Sequence, residues 1–367
     1  MRANSSPNPA KPVPRGASER LLGLDLIRFF SFYAIVFFHW GVSLWAPLGY
    51  NYNPVSALRW AEVYGRFLSF SGFSVLLLSF FLFGYKGRNL KKQNLLLPLL
   101  FVFGGVWIAT DNEFPYLWDI YPYLLVAFSA VVLLDRLQVR PWLVAVLSFI
   151  LTSLPFWRLE GAIPLEAWVE QIMWGVCRNG AALGEWPLLP WIGFPLFGWA
   201  TGRLASAQRE RLADWSWVER MAWTALLALS ATQFGNYYVT QLGDDFGCYM
   251  FRQEPWTFWA HQAWVLFFIR VSLLRYTNSF LVRSNFMHWI SALQVNQRFF
   301  VVYFIHYPIG LGCARWLHAR DLGLNGLAGN LGLLLVIGLT EIGGIVFGLA
   351  ARHNRWSSGR QDGQRAT

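Results

Sequence analysis

Residues 24–41 read LDLIRFFSFYAIVFFHWG, an apolar and aromatic run whose only charged or imidazole side chains are Asp25, Arg28 and His39. With its flanks the run fills the interval 22–45, and about 20 predominantly apolar residues suffice to cross a bilayer as a helix. Ionisable groups at such depth are costly and mark function by default. Eleven residues separate Arg28 from His39. At 100° per residue this is three turns plus about 20°, so both leave one helix face about 16 Å apart along the axis. Asp25 lies within about 60° of Arg28 on that face. The helix thus lines up a cation near one membrane surface with an imidazole deep toward the other. A bland reading of the same residues has Arg28 snorkelling to lipid phosphate with Asp25 beside it, and His39 as a satisfied bundle histidine. The sharper one uses neutral imidazole as a general base.

The rest of the chain has the same character. Of 367 residues 55% are hydrophobic and 18% aromatic, while 14% are charged, against about 25% in soluble domains. Mean hydropathy is +0.36. These values exclude an ordinary soluble enzyme, a disordered chain and a disulfide-stapled secreted domain, and predict an all-α, polytopic transmembrane bundle. Cys177, Cys248 and Cys313 have no short spacing, so neither a disulfide framework nor a metal knuckle is expected, and no metal is called for.

Apolar stretches between charged or Pro/Gly-rich breaks give ten candidate spans: 22–45, 67–85, 94–110, 117–134, 141–157, 187–203, 221–240, 257–274, 299–317 and 330–350. The stretch 166–184 is a candidate re-entrant or interfacial helix. Residues 1–20 form a polar tail with the composition of a disordered segment, the span-bearing domain covers 21–351, and 352–367 is a basic tail. Ten spans with the N-terminus inside put 21 Lys and Arg in cytoplasmic segments and 7 on the far side, with Arg28 and Arg270 within helices. Such a split places both termini in the cytoplasm. It also accounts for the formal charge of +10 without nucleic acid.

Leu24-Asp25-x-x-Arg28, ten residues and then His39, resembles the first helix of the membrane acyltransferase family 3 and of the related heparan-glucosaminide N-acetyltransferase-like proteins. Leu189-Pro190-Trp191-Ile192-Gly193, continuing to Gly198 and Gly202-Arg203, is similar to the superfamily's late proline-and-glycine helix. Tyr303-Phe304-Ile305-His306-Tyr307-Pro308 is similar to its near-terminal helix with a His-x-Pro element, and a Phe-rich second span ends in a basic loop. The likeness covers roughly 21–350. The family's Ser-Gly-Phe element has two counterparts, Ser71-Gly72-Phe73 and Phe83-Gly84-Tyr85, and both stay open. Its Arg-x-x-Arg appears as Arg88-x-x-Lys91 with Lys92 adjacent; lysine lacks the bidentate fork of arginine but still attracts phosphate.

The resemblance implies transfer of an acetyl- or succinyl-like group from cytoplasmic acyl-CoA, most simply acetyl-CoA, to a hydroxyl of a cell-envelope polysaccharide or glycoside. The setting it implies is a bacterial cytoplasmic (inner) membrane. It assigns His39 as general base or transient acyl carrier and Arg28 as the group that orients the donor, with Asp25 and His306 as further catalytic candidates. Arg88, Lys91, Lys92 and Arg203 would meet the donor phosphates; Ser71, Trp118, Asp119 and Glu341 would meet the acceptor. Partners are then the bilayer, acyl-CoA and a carbohydrate, with no nucleic acid and a homodimer left open. N-acetyl transfer to an amino sugar is a variant. From another class, a transporter or flippase for a glycan or small anionic solute would also use buried Arg, His and Glu, although paired halves with matching broken helices are not evident.

Other residues keep more than one reading. His306 is a core histidine bonded to a backbone carbonyl freed by Pro308, or a second site residue. Glu341, in GLTEIGG, pairs with Arg270 or Arg315, is protonated, or takes part in catalysis. The outer-loop aromatics and acids (Trp118, Asp119, Trp157, Glu160) are an interfacial belt or a sugar platform. The glycines of 323–348 point to close helix packing.

Overall fold

The computed structural model describes residues 21–40, 72–86, 120–155, 163, 166–174, 176–178, 181–183, 187–241, 255–322 and 327–364. They are helical apart from turns and one two-stranded hairpin. In chain order the helices are α1 (Leu22–Phe38), α2 (Gly72–Lys86), α3 (Ile120–Arg136), α4 (Pro141–Thr152) and α5 (Ala167–Trp174), followed by β1 (Val176–Arg178) and β2 (Ala181–Leu183). Then come α6 (Gly193–Ala207), α7 (Trp217–Gln241), α8 (Pro255–Ser272), α9 (Arg275–Leu281), α10 (Asn285–Ala292), α11 (Gln294–Gln297), α12 (Phe299–His318) and α13 (Leu327–Gln364). The stretch 166–184 therefore holds a short helix and an antiparallel hairpin in which Cys177 faces Ala182.

Backbone-to-backbone packing joins α2 to α6. A Cβ on Gly198 would collide with the carbonyl of Leu77, and one on Gly202 with the carbonyl of Phe81. From the other side, a Cβ on Gly84 would strike the carbonyl of Trp199. Gly198 and Gly202 form the small-xxx-small spacing that lets apolar helices approach closely. Gly84, the middle of one Ser-Gly-Phe counterpart, is thus a packing glycine here. Proline marks the entry to α6: residues 187–192 are turns with a cis Leu189–Pro190 bond. The expected span 187–203 consequently starts as a helix only at Gly193 and continues to Ala207. Tyr123 of α3 donates to the Trp191 carbonyl at 2.8 Å and fixes that turn.

Among the described residues one helix, Ala328–Ala350 within α13, is long and apolar enough to cross a membrane, and only 28% of its central window is buried. Helix α12 has 20 residues, but Tyr303, His306, Tyr307, Pro308 and Arg315 dilute its hydropathy. Helices α2 and α4 have 15 and 12 residues, short of the length a span needs. The outward faces of α4 and α13 are apolar, with Leu143, Val146, Leu147, Ile150, Leu331, Leu334, Leu335, Ile342 and Val346 exposed. The core within holds Leu24, Phe32, Leu77, Leu78, Phe80, Tyr123, Trp191 and Trp199.

Candidate functional site

Periodicity in α1 creates the site. Asp25, Arg28, Phe32, Ile35 and His39 follow one another at three- and four-residue steps and so share a face. That face is turned into the bundle: Asp25 is 5% exposed and Arg28 9%. Arg28 therefore does not snorkel to lipid. Its guanidinium donates to the Asn296 carbonyl at 3.4 Å and lies 5.0 Å from the centre of the Phe299 ring, where the negative ring face attracts the cation. Asp25 accepts a hydrogen bond from Ser291 Oγ at 3.0 Å.

Farther along the stripe, Phe32 sets its edge on Phe299 and His306 at centroid separations of 6.1 and 5.5 Å. At the end of α1 the helix widens into a π turn over His39–Trp40, a local form common at functional sites. There His39 Nδ1 and His306 Nε2 lie 2.9 Å apart. His306 Nδ1 is 2.5 Å from the Tyr303 carbonyl, and Tyr307 stands edge-on to His39 at 5.4 Å. His306 is 3% exposed. The carbonyl that Pro308 releases is that of Phe304, four residues before it, so His306 bonds a neighbouring carbonyl of its own turn instead.

No protein family, curated protein or solved structure matches the chain.

Glu341 is drawn to neither expected arginine. Its Oε1 accepts from Tyr33 Oη at 2.9 Å and from the Val295 N–H at 3.2 Å, and its Oε2 from the Gln294 N–H at 2.6 Å. It caps the N-terminus of α11, whose first N–H groups have no intrahelical acceptor. By capping α11 the carboxylate fixes the short helix whose Asn296 carbonyl accepts from Arg28. Arg270 grips Glu219 at 2.5 Å and donates to the carbonyls of Leu212 and Asp214, both at 2.8 Å. It ties the 208–216 turn to α8. Arg203, expected at the donor, forms an ion pair with Asp135 at 2.7 Å. Ser71, Arg88, Lys91, Lys92, Trp118 and Asp119 lie outside the described residues. Among the described residues no group of three or more His, Cys, Asp and Glu is arranged for a metal ion.

The structure thus brings Asp25, Arg28, His39 and His306 to one seam between α1 and the α10–α12 segment, with Glu341 behind it. Tyr33, Ser291 and Asn296 belong to the same seam, and sequence reasoning passed over them. For Ser291 and Asn296 the signal is a polar cluster, Ser291 to Gln297, interrupting an apolar region directly before α12; Tyr33, inside the apolar first helix, has none.

Proposed function

We propose that this chain is a multi-pass integral-membrane acyltransferase of the family 3 type, with about ten spans and both termini in the cytoplasm of a bacterial inner membrane. It moves an acetyl- or succinyl-like group from cytoplasmic acyl-CoA to a hydroxyl of a cell-envelope polysaccharide or glycoside. Carrying the reading is one observation: a buried arginine and a histidine face the bundle interior from one side of α1. Arg28, near the cytoplasmic end in the proposed topology, holds the anionic donor. His39 Nε2 takes the proton as the acceptor hydroxyl attacks the thioester carbonyl; the C–S bond breaks, and the proton passes to the departing thiolate. The basic stretch 86–92 adds phosphate attraction at the inner surface. The apolar outer faces of α4 and α13 support the bilayer setting.

Radiolabelled acyl-CoA added to membranes containing the protein tests this. Label is expected in envelope glycan with the wild type and is lost in His39→Ala and Arg28→Ala. Solute accumulation without chemistry would instead establish a transporter, and full transfer by His39→Ala would remove that residue from the mechanism.

A further inference from the structure

We infer that His306 is a positioning residue that locks His39 into the tautomer required of a base, so that the two imidazoles and the Tyr303 carbonyl form a directional hydrogen-bond chain. A carbonyl oxygen only accepts, so the nitrogen facing it, His306 Nδ1, carries a proton. In a neutral imidazole the other nitrogen is then an acceptor, and His306 Nε2 faces His39 Nδ1 at 2.9 Å. His39 Nδ1 is accordingly the donor, and His39 Nε2 becomes that ring's acceptor nitrogen. Direction runs one way along the chain, from His39 to His306 to Tyr303.

Ring geometry agrees. The two imidazole planes are 7° apart and their centroids 5.1 Å apart. That separation is close to the largest a 2.9 Å N···N contact allows, so the rings meet edge to edge in nearly one plane. Face-to-face stacking would bring the centroids much closer. An in-plane approach aligns the N–H with the facing lone pair, the favourable arrangement for a hydrogen bond. Phe32, Tyr303 and Tyr307 surround the pair and hold both rings against rotation. Here a histidine does what a carboxylate does in hydrolase triads: it orients the base and fixes which nitrogen faces the reactant.

This inference rests on the acyltransfer reading for its chemical purpose but not for its test. When the acceptor hydroxyl gives its proton to His39 Nε2, the extra charge sits on His39 or moves to His306 as the Nδ1 proton crosses to His306 Nε2. The proton returns by the same route to the thiolate.

The full-length protein in lipid nanodiscs, labelled with 15N-histidine, supplies the first readout. It has six histidines, and the His39 signal is the one missing from His39→Ala. Wild type is expected to show His39 protonated at Nδ1. His306→Phe, which keeps ring volume but removes the acceptor, shifts it toward the Nε2-protonated form, and His306→Gln, whose side-chain carbonyl accepts, restores it. In transfer assays His306→Phe lowers kcat about 10²- to 10⁴-fold, within the span of general-base and tautomer effects. KM for acyl-CoA is unchanged, and His306→Gln recovers most of the loss. Finding wild-type His39 protonated at Nε2 overturns the inference whatever the activity, as does full kcat in a folded His306→Phe. The expected tautomer in a protein that transfers no acyl group upholds the positioning role and overturns the acyltransfer reading instead.

Discussion

Replacing Glu341 separates two roles for the carboxylate of α13. In Glu341→Ala the N–H groups of Gln294 and Val295 and the hydroxyl of Tyr33 lose their acceptor at once. A buried donor left without a partner costs about 1–3 kcal/mol. Three such donors, one of them able to rotate toward another acceptor, amount to about 3–6 kcal/mol. Glu341→Gln keeps one carbonyl oxygen, enough for Tyr33 and Val295, but turns an amide N–H₂ toward the Gln294 N–H. Its cost is about half as large. Tyr33→Phe removes a single bond to a carboxylate and costs about 1–2 kcal/mol. Because that bond is already absent in Glu341→Ala, the two changes combine to less than their sum. Thermal unfolding of purified protein in detergent, followed by tryptophan fluorescence, should rank the midpoints wild type, Tyr33→Phe, Glu341→Gln, Glu341→Ala. Wild-type stability in Glu341→Ala together with lost acyl transfer would refute the capping argument and give Glu341 to the substrate.

Three further outcomes follow from packing and pairing. Gly202→Leu, whose Cβ meets the Phe81 carbonyl, should destabilise by about 1–3 kcal/mol or more, whereas Gly312→Leu, inside α12 with open space around its Cβ, does not lower the unfolding midpoint and gains helix propensity. Gln262 is 0% exposed and both its amide atoms lack a hydrogen-bond partner among the described residues, so Gln262→Met is expected to raise stability by about 1–3 kcal/mol; a lower midpoint would contradict this. Arg270→Met leaves Glu219 and the Leu212 and Asp214 carbonyls without their donor and should cost about 2–4 kcal/mol, measured by the same unfolding assay.

What the sequence makes legible is what one helix decides by itself. The Asp25–Arg28–His39 stripe follows from helical geometry alone, whereas its direction, open in the sequence between lipid phosphate and the bundle, is decided by packing that leaves Asp25 and Arg28 5% and 9% exposed. That the helix Ala328–Ala350 is long and apolar enough to cross a membrane follows from its sequence, read as the stretch 330–350. What stays hidden are contacts between segments far apart in the chain. His39 meets His306 across 267 positions, and Tyr33 meets Glu341 across 308, pairings that packing selects and no local spacing encodes. Sequence reasoning offered Arg270 to Glu341, but Glu219, on the adjacent α7, meets that guanidinium in the structure. Helix ends were also obscured: Pro190 sits in turns before α6 although the surrounding apolar run is unbroken.

The contact of α2 with α6 has a mechanical consequence. Each helix rests carbonyls against the other's glycines, with no side chain between them to change rotamer and act as a bearing. Sliding would drive main-chain oxygens into main-chain atoms, so the two helices travel as one stiff plank. Any relative motion among the described helices must then hinge somewhere other than at this pair.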